Sequence, residues 1–374
     1  MTSPENLKPG FATAEGTRRY AARFAGRAAQ GHFRERLGLT FSSIGIGTYL
    51  GEADAATDQG YSDSVAAAVM NGINVIDTAI NYRLQRSERS VGDALSKLFS
   101  AGFAREELIV CTKAGFLTPD GDMPDDANEY FYREFITKDI FSPEDIAAGC
   151  HCLAPRYLES QIERSRKNLG LDCIDVWYLH NPETQLSEVP REEFNRRLLA
   201  AMRTAEASVT AGKIRVYGLA TWNAFRSDPQ GQDYLSLAEM ARLAKEAGGI
   251  EHHFRFVQLP FNLVMPEALV RPNQSVNGKT VSMVQAAREL GITLIASASL
   301  LQSHLAGKVP AMIHDNMGLQ DDLACALQFV RSAPGITTAL VGMKQVEHVK
   351  ANLRLAGIPP TGQEQFRRMF AAAR

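Results

Sequence analysis

Five times along the chain an amphipathic stretch stops at a glycine and a short apolar, β-branched run begins at once. The breaks are Gly72 before Ile73–Ile76, Gly170 before Leu171–Tyr178, Gly212 before Lys213–Tyr217, Gly291 before Ile292–Ala296, and Gly335 before Ile336–Val341. Glycine accepts the left-handed backbone that closes a helix, and continuous apolar runs behind it read as strands buried on both faces. Further runs complete a set of eight candidate strands, near Ile44, Val75, Ile109, Val176, Ile214, Phe256, Leu294 and Leu340. Most lie roughly 30 to 45 residues apart, the spacing of βα units. Eight units predict an α/β fold of the (β/α)8 TIM-barrel type, built as a single domain. An open doubly wound sheet alternates in the same way, but no G-x-G-x-x-G follows the first strand, which weakens its dinucleotide-binding version.

Helical faces agree with this alternation. Leu158, Ile162 and Leu169 share one face, Leu198, Met202, Ala205 and Val209 another, and Pro155 stands where a first helical turn begins. The expected domain plan is an N-terminal extension over residues 1–33, a barrel over 34–358 and a C-terminal tail over 359–374. Between the third and fourth strands the interval doubles, so residues 114–153 are read as an insertion. There Asp120, Asp122, Asp125 and Asp126 precede Tyr130, Phe131, Tyr132 and Phe135, enough apolar surface for a lid that brings aromatic contacts to a substrate. An oligomer contact and a decorative loop remain alternatives, and no sequence feature sets the number of subunits.

Charge and cysteine usage exclude several classes. A formal net charge of -2 gives no electrostatic reason to bind nucleic acid or an anionic membrane. No apolar run approaches the ~18 residues of a membrane span. Arg18, Arg19, Arg23 and Arg27 stand among alanines near the start. They read as a helical extension, with an organelle presequence as the alternative to a cytoplasmic location. Five cysteines without a C-x-x-C pair imply a reducing compartment. Cys150, His151 and Cys152 have no companion ligand cluster, so no metal is expected.

In a parallel barrel, chemistry sits at the carboxyl ends of the strands. Asp77, Lys113 and His180 close three successive runs, and Tyr82 follows Asp77 by five residues. Singly, each has an ordinary structural explanation. Together they make a proton-transfer device: an ammonium favours ionisation of a nearby phenol, a carboxylate keeps that buried ammonium charged, and an imidazole orients a substrate carbonyl.

The order of motifs resembles the aldo-keto reductase superfamily. Asp77-Thr78-Ala79-Ile80-Asn81-Tyr82 is similar to its D-T-A-x-x-Y, and Ser87-Glu88 with Val91-Gly92 to its S-E-x-x-[LV]-G. Thr112-Lys113, Leu179-His180, Gly212-Lys213-Ile214-Arg215 and Gln258 follow in the family's order. The similarity runs from about Leu37 to about Leu355, nearly the whole chain. It implies hydride transfer between NAD(P)H and an aldehyde, ketone or sugar-like carbonyl, with Tyr82 as acid, Asp77 and Lys113 tuning it, and His180 orienting the small-molecule substrate. It further implies cofactor contacts from Thr48, Asp77, Thr221, Gln258, Ser299 and Leu300. Gly342, Lys344, His348 and Asn352 would grip the adenosine end.

Two departures qualify the cofactor. His348 stands where relatives commonly carry Arg or Gln, so NADP(H) is the first expectation and NAD(H) the second. Ala220-Thr221 replaces the family's Ser-Asn at the end of strand five, and Ala220 cannot hydrogen-bond a carboxamide. These changes motivate a second reading, a nicotinamide-sensing regulatory module with little turnover. A third makes Lys113 a Schiff-base lysine.

Overall fold

The computed structural model describes residues 7–301, 304 and 307–371, so the outermost parts of the expected extension and tail, residues 1–6 and 372–374, lie outside it. Eight strands form the predicted barrel: β1 (Ile44–Gly47), β2 (Val75–Asp77), β3 (Ile109–Ala114), β4 (Ile174–His180), β5 (Ile214–Ala220), β6 (Phe254–Pro260), β7 (Thr293–Ser297) and β8 (Ile336–Gly342). All pair in parallel with their sequence neighbours, and β8 closes on β1. Gly170 and Gly212 show why glycine punctuates the chain: each follows a helix with φ near 70° (67° and 73°) and releases the backbone into the next strand.

Parallel pairing carries the carboxyl ends of the strands to one face of the barrel. Asp77 pairs with Gly47 and Cys111, Lys113 with Tyr178, and Ala220 with both His180 and Gln258. The interior beneath is filled, not open: Val75, Ile109, Cys111, Val176, Tyr178, Phe256, Ile295 and Leu340 form one buried cluster. Phe41, from the hairpin Phe33–Arg36/Leu39–Ser42, plugs the lower end against Phe256. A larger apolar layer lies between the strands and the surrounding helices.

The N-terminal extension is held to the barrel. In the helix Ala14–Ala22, Tyr20 is buried with its hydroxyl donating to the Val69 carbonyl at 2.6 Å. Arg19 and Arg23 pair with Glu107 at 3.0 and 2.9 Å. Below β4, Arg105 and Asp175 form a buried pair at 2.6 Å, and Asp175 also accepts the Ala12 and Val110 amides. Removing one partner strands a buried charge, so Arg105→Leu is expected to cost about 3–5 kcal/mol. Urea unfolding checks this, and a midpoint equal to wild type would refute it.

The long segment after β3 has its own structure: a helix Ala127–Phe131, a wide turn Tyr132–Ile136 and a two-residue pairing of Ile146–Ala147 with His151–Cys152. Two of its aromatics pack on a barrel helix. Phe135 lies 5.3 Å from Phe141 and 5.4 Å from Tyr157 of the helix Pro155–Leu169. The C-terminal stretch is likewise part of the fold, because its helix Gln363–Ala371 stacks Phe366 on Phe329 at 5.1 Å. Among the described residues no helix is long and apolar enough to cross a membrane, and no cluster of metal-ligating side chains forms.

Candidate active site

A cleft of about 850 Å³ opens at the carboxyl ends of the strands. On its floor the Lys113 ammonium, fully buried, donates to Asp77 Oδ2 at 2.6 Å and to the Thr78 carbonyl at 2.7 Å. It also approaches the Tyr82 hydroxyl at 3.4 Å and lies 4.9 Å from the centre of that ring. The second Asp77 oxygen accepts from the Gln258 amide at 2.8 Å. His180 faces Tyr82 with ring centres 5.8 Å apart, and its Nδ1 lies 3.2 Å from the Asn81 side-chain oxygen. The four residues singled out from sequence therefore converge. Lys113 works from beneath, while Asp77, Tyr82 and His180 line the cleft.

Residues expected to hold a cofactor are spread along the same cleft. Thr48, Thr221, Gln258, Ser299 and Leu300 line it, and Gly342, Lys344 and His348 edge its far end. Asn352, half-buried in the last turn of the helix Val346–Leu353, is not among the lining residues. The Thr221 and Ser299 hydroxyls are buried without a hydrogen-bond partner. Unpaired buried hydroxyls are costly, so a polar ligand at these two strand ends would complete them. Gln258 already engages Asp77 through one amide hydrogen, which leaves its carbonyl oxygen and second N–H for a carboxamide.

The sequence matches the family model for the aldo/keto reductase family over residues 43–321. The chain belongs to the aldo/keto reductase family. Similar proteins include the NADH-specific methylglyoxal reductase of Escherichia coli (strain K12), 26% identical over 194 residues and covering 50% of each chain. Another is the D-threo-aldose 1-dehydrogenase of a Pseudomonas species, 29% identical over 164 residues, 42% of this chain and 44% of that one. The chain thus spans about half the length of these curated relatives. Among solved structures, an aldo/keto reductase from Klebsiella pneumoniae in complex with NADP and acetate superposes with a TM-score of 0.60 at 18% identity, over 91% of this chain and 96% of that one. The glycerol dehydrogenase of Gluconobacter oxydans gives 0.62 at 16%, over 92% and 95%. Both share the barrel.

Electrostatics sharpen the roles open to this aldo/keto reductase tetrad. Burial alone would pull the Lys113 ammonium down, but Asp77 and Tyr82 hold it above its ordinary value. Engaged with Asp77, the Thr78 carbonyl and the Tyr82 hydroxyl, and absent from the cleft lining, it is not presented as a free amine for a Schiff base. Burial pushes the Tyr82 phenol up, and the ammonium only partly offsets this. The Lys113 ammonium thus acts on the phenol in the direction expected from sequence, against the effect of burial. Burial first, then Lys113 and His151, drives His180 far below its usual range, so the imidazole is neutral.

Several lining residues carried no distinctive sequence signal: Tyr49, Leu50, Phe116, Asn181 and Trp222 wall the cleft. Asn81 lay in plain view inside the D-T-A-x-x-Y match. Within the segment 114–153, the aromatic on the cleft is Phe116, whereas Tyr130, Phe131, Tyr132 and Phe135 are not in its lining. Behind Trp222, the buried Glu183 carboxylate accepts the Trp222 and Asn223 amides at 2.7 and 3.3 Å. Burial pushes this carboxyl from 4.5 up to about 7. The folded state then holds a proton that the unfolded chain has lost. This contribution to stability is complete below the unfolded value and disappears as pH rises through about 7. Glu183→Gln, which cannot titrate, is expected to lose less stability than wild type between pH 5 and pH 8, read from urea midpoints. Parallel pH courses for the two proteins would reject this assignment.

Proposed function

We propose that the chain is a nicotinamide-dependent oxidoreductase that interconverts an aldehyde, ketone or sugar-like carbonyl and its alcohol, with Tyr82 as the proton donor and acceptor. The observation that carries this reading is the approach of Tyr82 to the Lys113–Asp77 pair on the floor of a cleft that His180 also faces. A nicotinamide dinucleotide bound there supplies the hydride. Tyr82 gives its hydroxyl proton to the substrate oxygen as negative charge develops, and Lys113 stabilises the phenolate left behind. His180, neutral and 3.2 Å through Nδ1 from the Asn81 side-chain amide, would donate to the substrate oxygen in the tautomer that carries its proton on Nε2, with the Asn81 amide turned so that its N–H faces Nδ1.

The unpartnered Thr221 and Ser299 hydroxyls, with Thr48, Gln258 and Leu300, would hold the nicotinamide half and the pyrophosphate. Gly342, Lys344 and His348 would meet the adenosine end. Lys344 is the cation placed for a 2′-phosphate, and His348 stands where relatives commonly carry Arg or Gln. NADP(H) is therefore the first choice and NAD(H) the second. The K. pneumoniae structure, described with NADP, and the E. coli relative, described as NADH-specific, stand on either side of that choice. The segment 114–153 would act on the substrate as an edge of the cleft through Phe116.

Purified protein mixed with NADPH or NADH and a panel of carbonyl compounds tests the proposal by loss of reduced-nicotinamide absorbance. Turnover that depends on Tyr82 is expected. Tight nicotinamide binding with no turnover on any carbonyl would instead favour a cofactor-sensing module.

A further inference from the structure

Directly after Tyr82, three consecutive non-glycine residues occupy the left-handed region: Arg83, Leu84 and Gln85, at φ of 50°, 57° and 72°. L side chains enter this region reluctantly, and a run of three persists only where the surroundings impose it. What imposes it is visible. The Leu84 carbonyl accepts the Gly121 amide at 2.8 Å, and the Gln85 side chain donates to the Pro119 carbonyl at 3.0 Å. Arg83, its side chain only 2% exposed, donates through Nε to the Glu52 carbonyl at 2.7 Å and through Nη2 to the Asp54 carbonyl at 3.2 Å. It pairs with Asp58 as well, and its guanidinium lies over the Tyr61 ring at 5.5 Å.

These contacts reach a wall of the cleft. The Tyr61 hydroxyl donates to the Leu50 carbonyl at 2.7 Å, and the Tyr49 ring stands edge-on to Tyr82 at 4.9 Å. Arg83 therefore sits between two parts of the site: the turn that aims Tyr82, and the 49–54 loop that packs against the same phenol. A lysine could not replace it, because only a planar fork reaches two carbonyls and a carboxylate at once.

We propose that Arg83 is a positioning residue: it locks the left-handed turn to the 49–54 loop and thereby fixes the Tyr82 hydroxyl against Lys113. This rests on the oxidoreductase reading for its kinetic consequence, though not for its structural one. A displacement of about 1 Å at a reacting group can cost roughly 100-fold in rate.

The test uses the full chain with Arg83→Ala, Arg83→Lys and Asp58→Asn. It compares kcat, KM, NADPH affinity, and hydrogen exchange at residues 49–54 and 82–85, with and without added methylguanidinium. Arg83→Ala is expected to lower kcat roughly 10- to 100-fold, to leave NADPH affinity within about twofold, and to recover part of its rate with methylguanidinium. Arg83→Lys should stay slow, and Asp58→Asn should fall in the same direction by a smaller factor. Both segments should exchange faster in all three variants. Wild-type kcat in Arg83→Ala, or a loss that methylguanidinium does not relieve, overturns the inference while leaving the oxidoreductase standing. If Arg83→Ala does not fold, Asp58→Asn decides: slower turnover with faster exchange supports the clamp, and wild-type values on both overturn it. If wild type itself shows no turnover, the oxidoreductase reading fails. Exchange then decides the clamp alone, unchanged protection in the variants refuting it.

Discussion

Tyr82→Phe is expected to lower kcat roughly 10²- to 10⁴-fold, the range that a positioned general acid contributes, while NADPH affinity changes by less than about twofold. The ring, its packing against Tyr49 and its cation contact with Lys113 all survive the loss of one oxygen. Only the proton is missing. The comparison is made by steady-state turnover beside cofactor titration. A variant that keeps its rate would remove Tyr82 from the chemistry, and a rate loss matched by lost cofactor binding would mean that the hydroxyl serves affinity.

Lys113→Met is expected to abolish measurable turnover and also to destabilise the fold by about 3–5 kcal/mol, because it leaves Asp77 buried without its cation. The pH dependence distinguishes this from ordinary packing loss. Burial already pushes the Asp77 carboxyl up, and without Lys113 nothing cationic opposes that rise. A raised carboxyl contributes stability at low pH that is lost as pH rises through its folded value. The deficit should therefore shrink towards pH 5 and widen towards pH 8. Adding Asp77→Asn should recover much of the stability and none of the activity. A deficit independent of pH would show that Asp77 does not carry the charge assigned to it.

The barrel was legible because glycine breaks and doubly buried strands recur, and because parallel strands open all their carboxyl ends, with Asp77, Lys113 and His180 on them, towards one cleft. Asp77, Lys113 and His180 were legible because a strand end has a fixed address, and Tyr82 through its spacing from Asp77 in the D-T-A-x-x-Y match. Features that depend on long-range packing were not. Nothing in the run Tyr130–Phe135 distinguishes an aromatic that faces substrate from one that faces Tyr157, and the structure buries Phe135 against the latter. Asn352 has the expected spacing but lies beyond the cleft lining. The tail after Ile358 lacks a strand to announce it, yet its Phe366 and Met369 are buried. The turn at Arg83–Gln85 has no sequence signature, since left-handed backbone usually announces itself through glycine and here is imposed by contacts 30 residues away in the chain, as between Arg83 and Glu52 at a separation of 31.

The most direct measurement is isotope transfer. Protein incubated with reduced nicotinamide cofactor fully deuterated at C4 and a carbonyl substrate should yield an alcohol heavier by a single deuteron on the former carbonyl carbon, read by mass spectrometry. An alcohol formed without the label would contradict hydride transfer beside Tyr82, as would cofactor that stays reduced with every carbonyl offered.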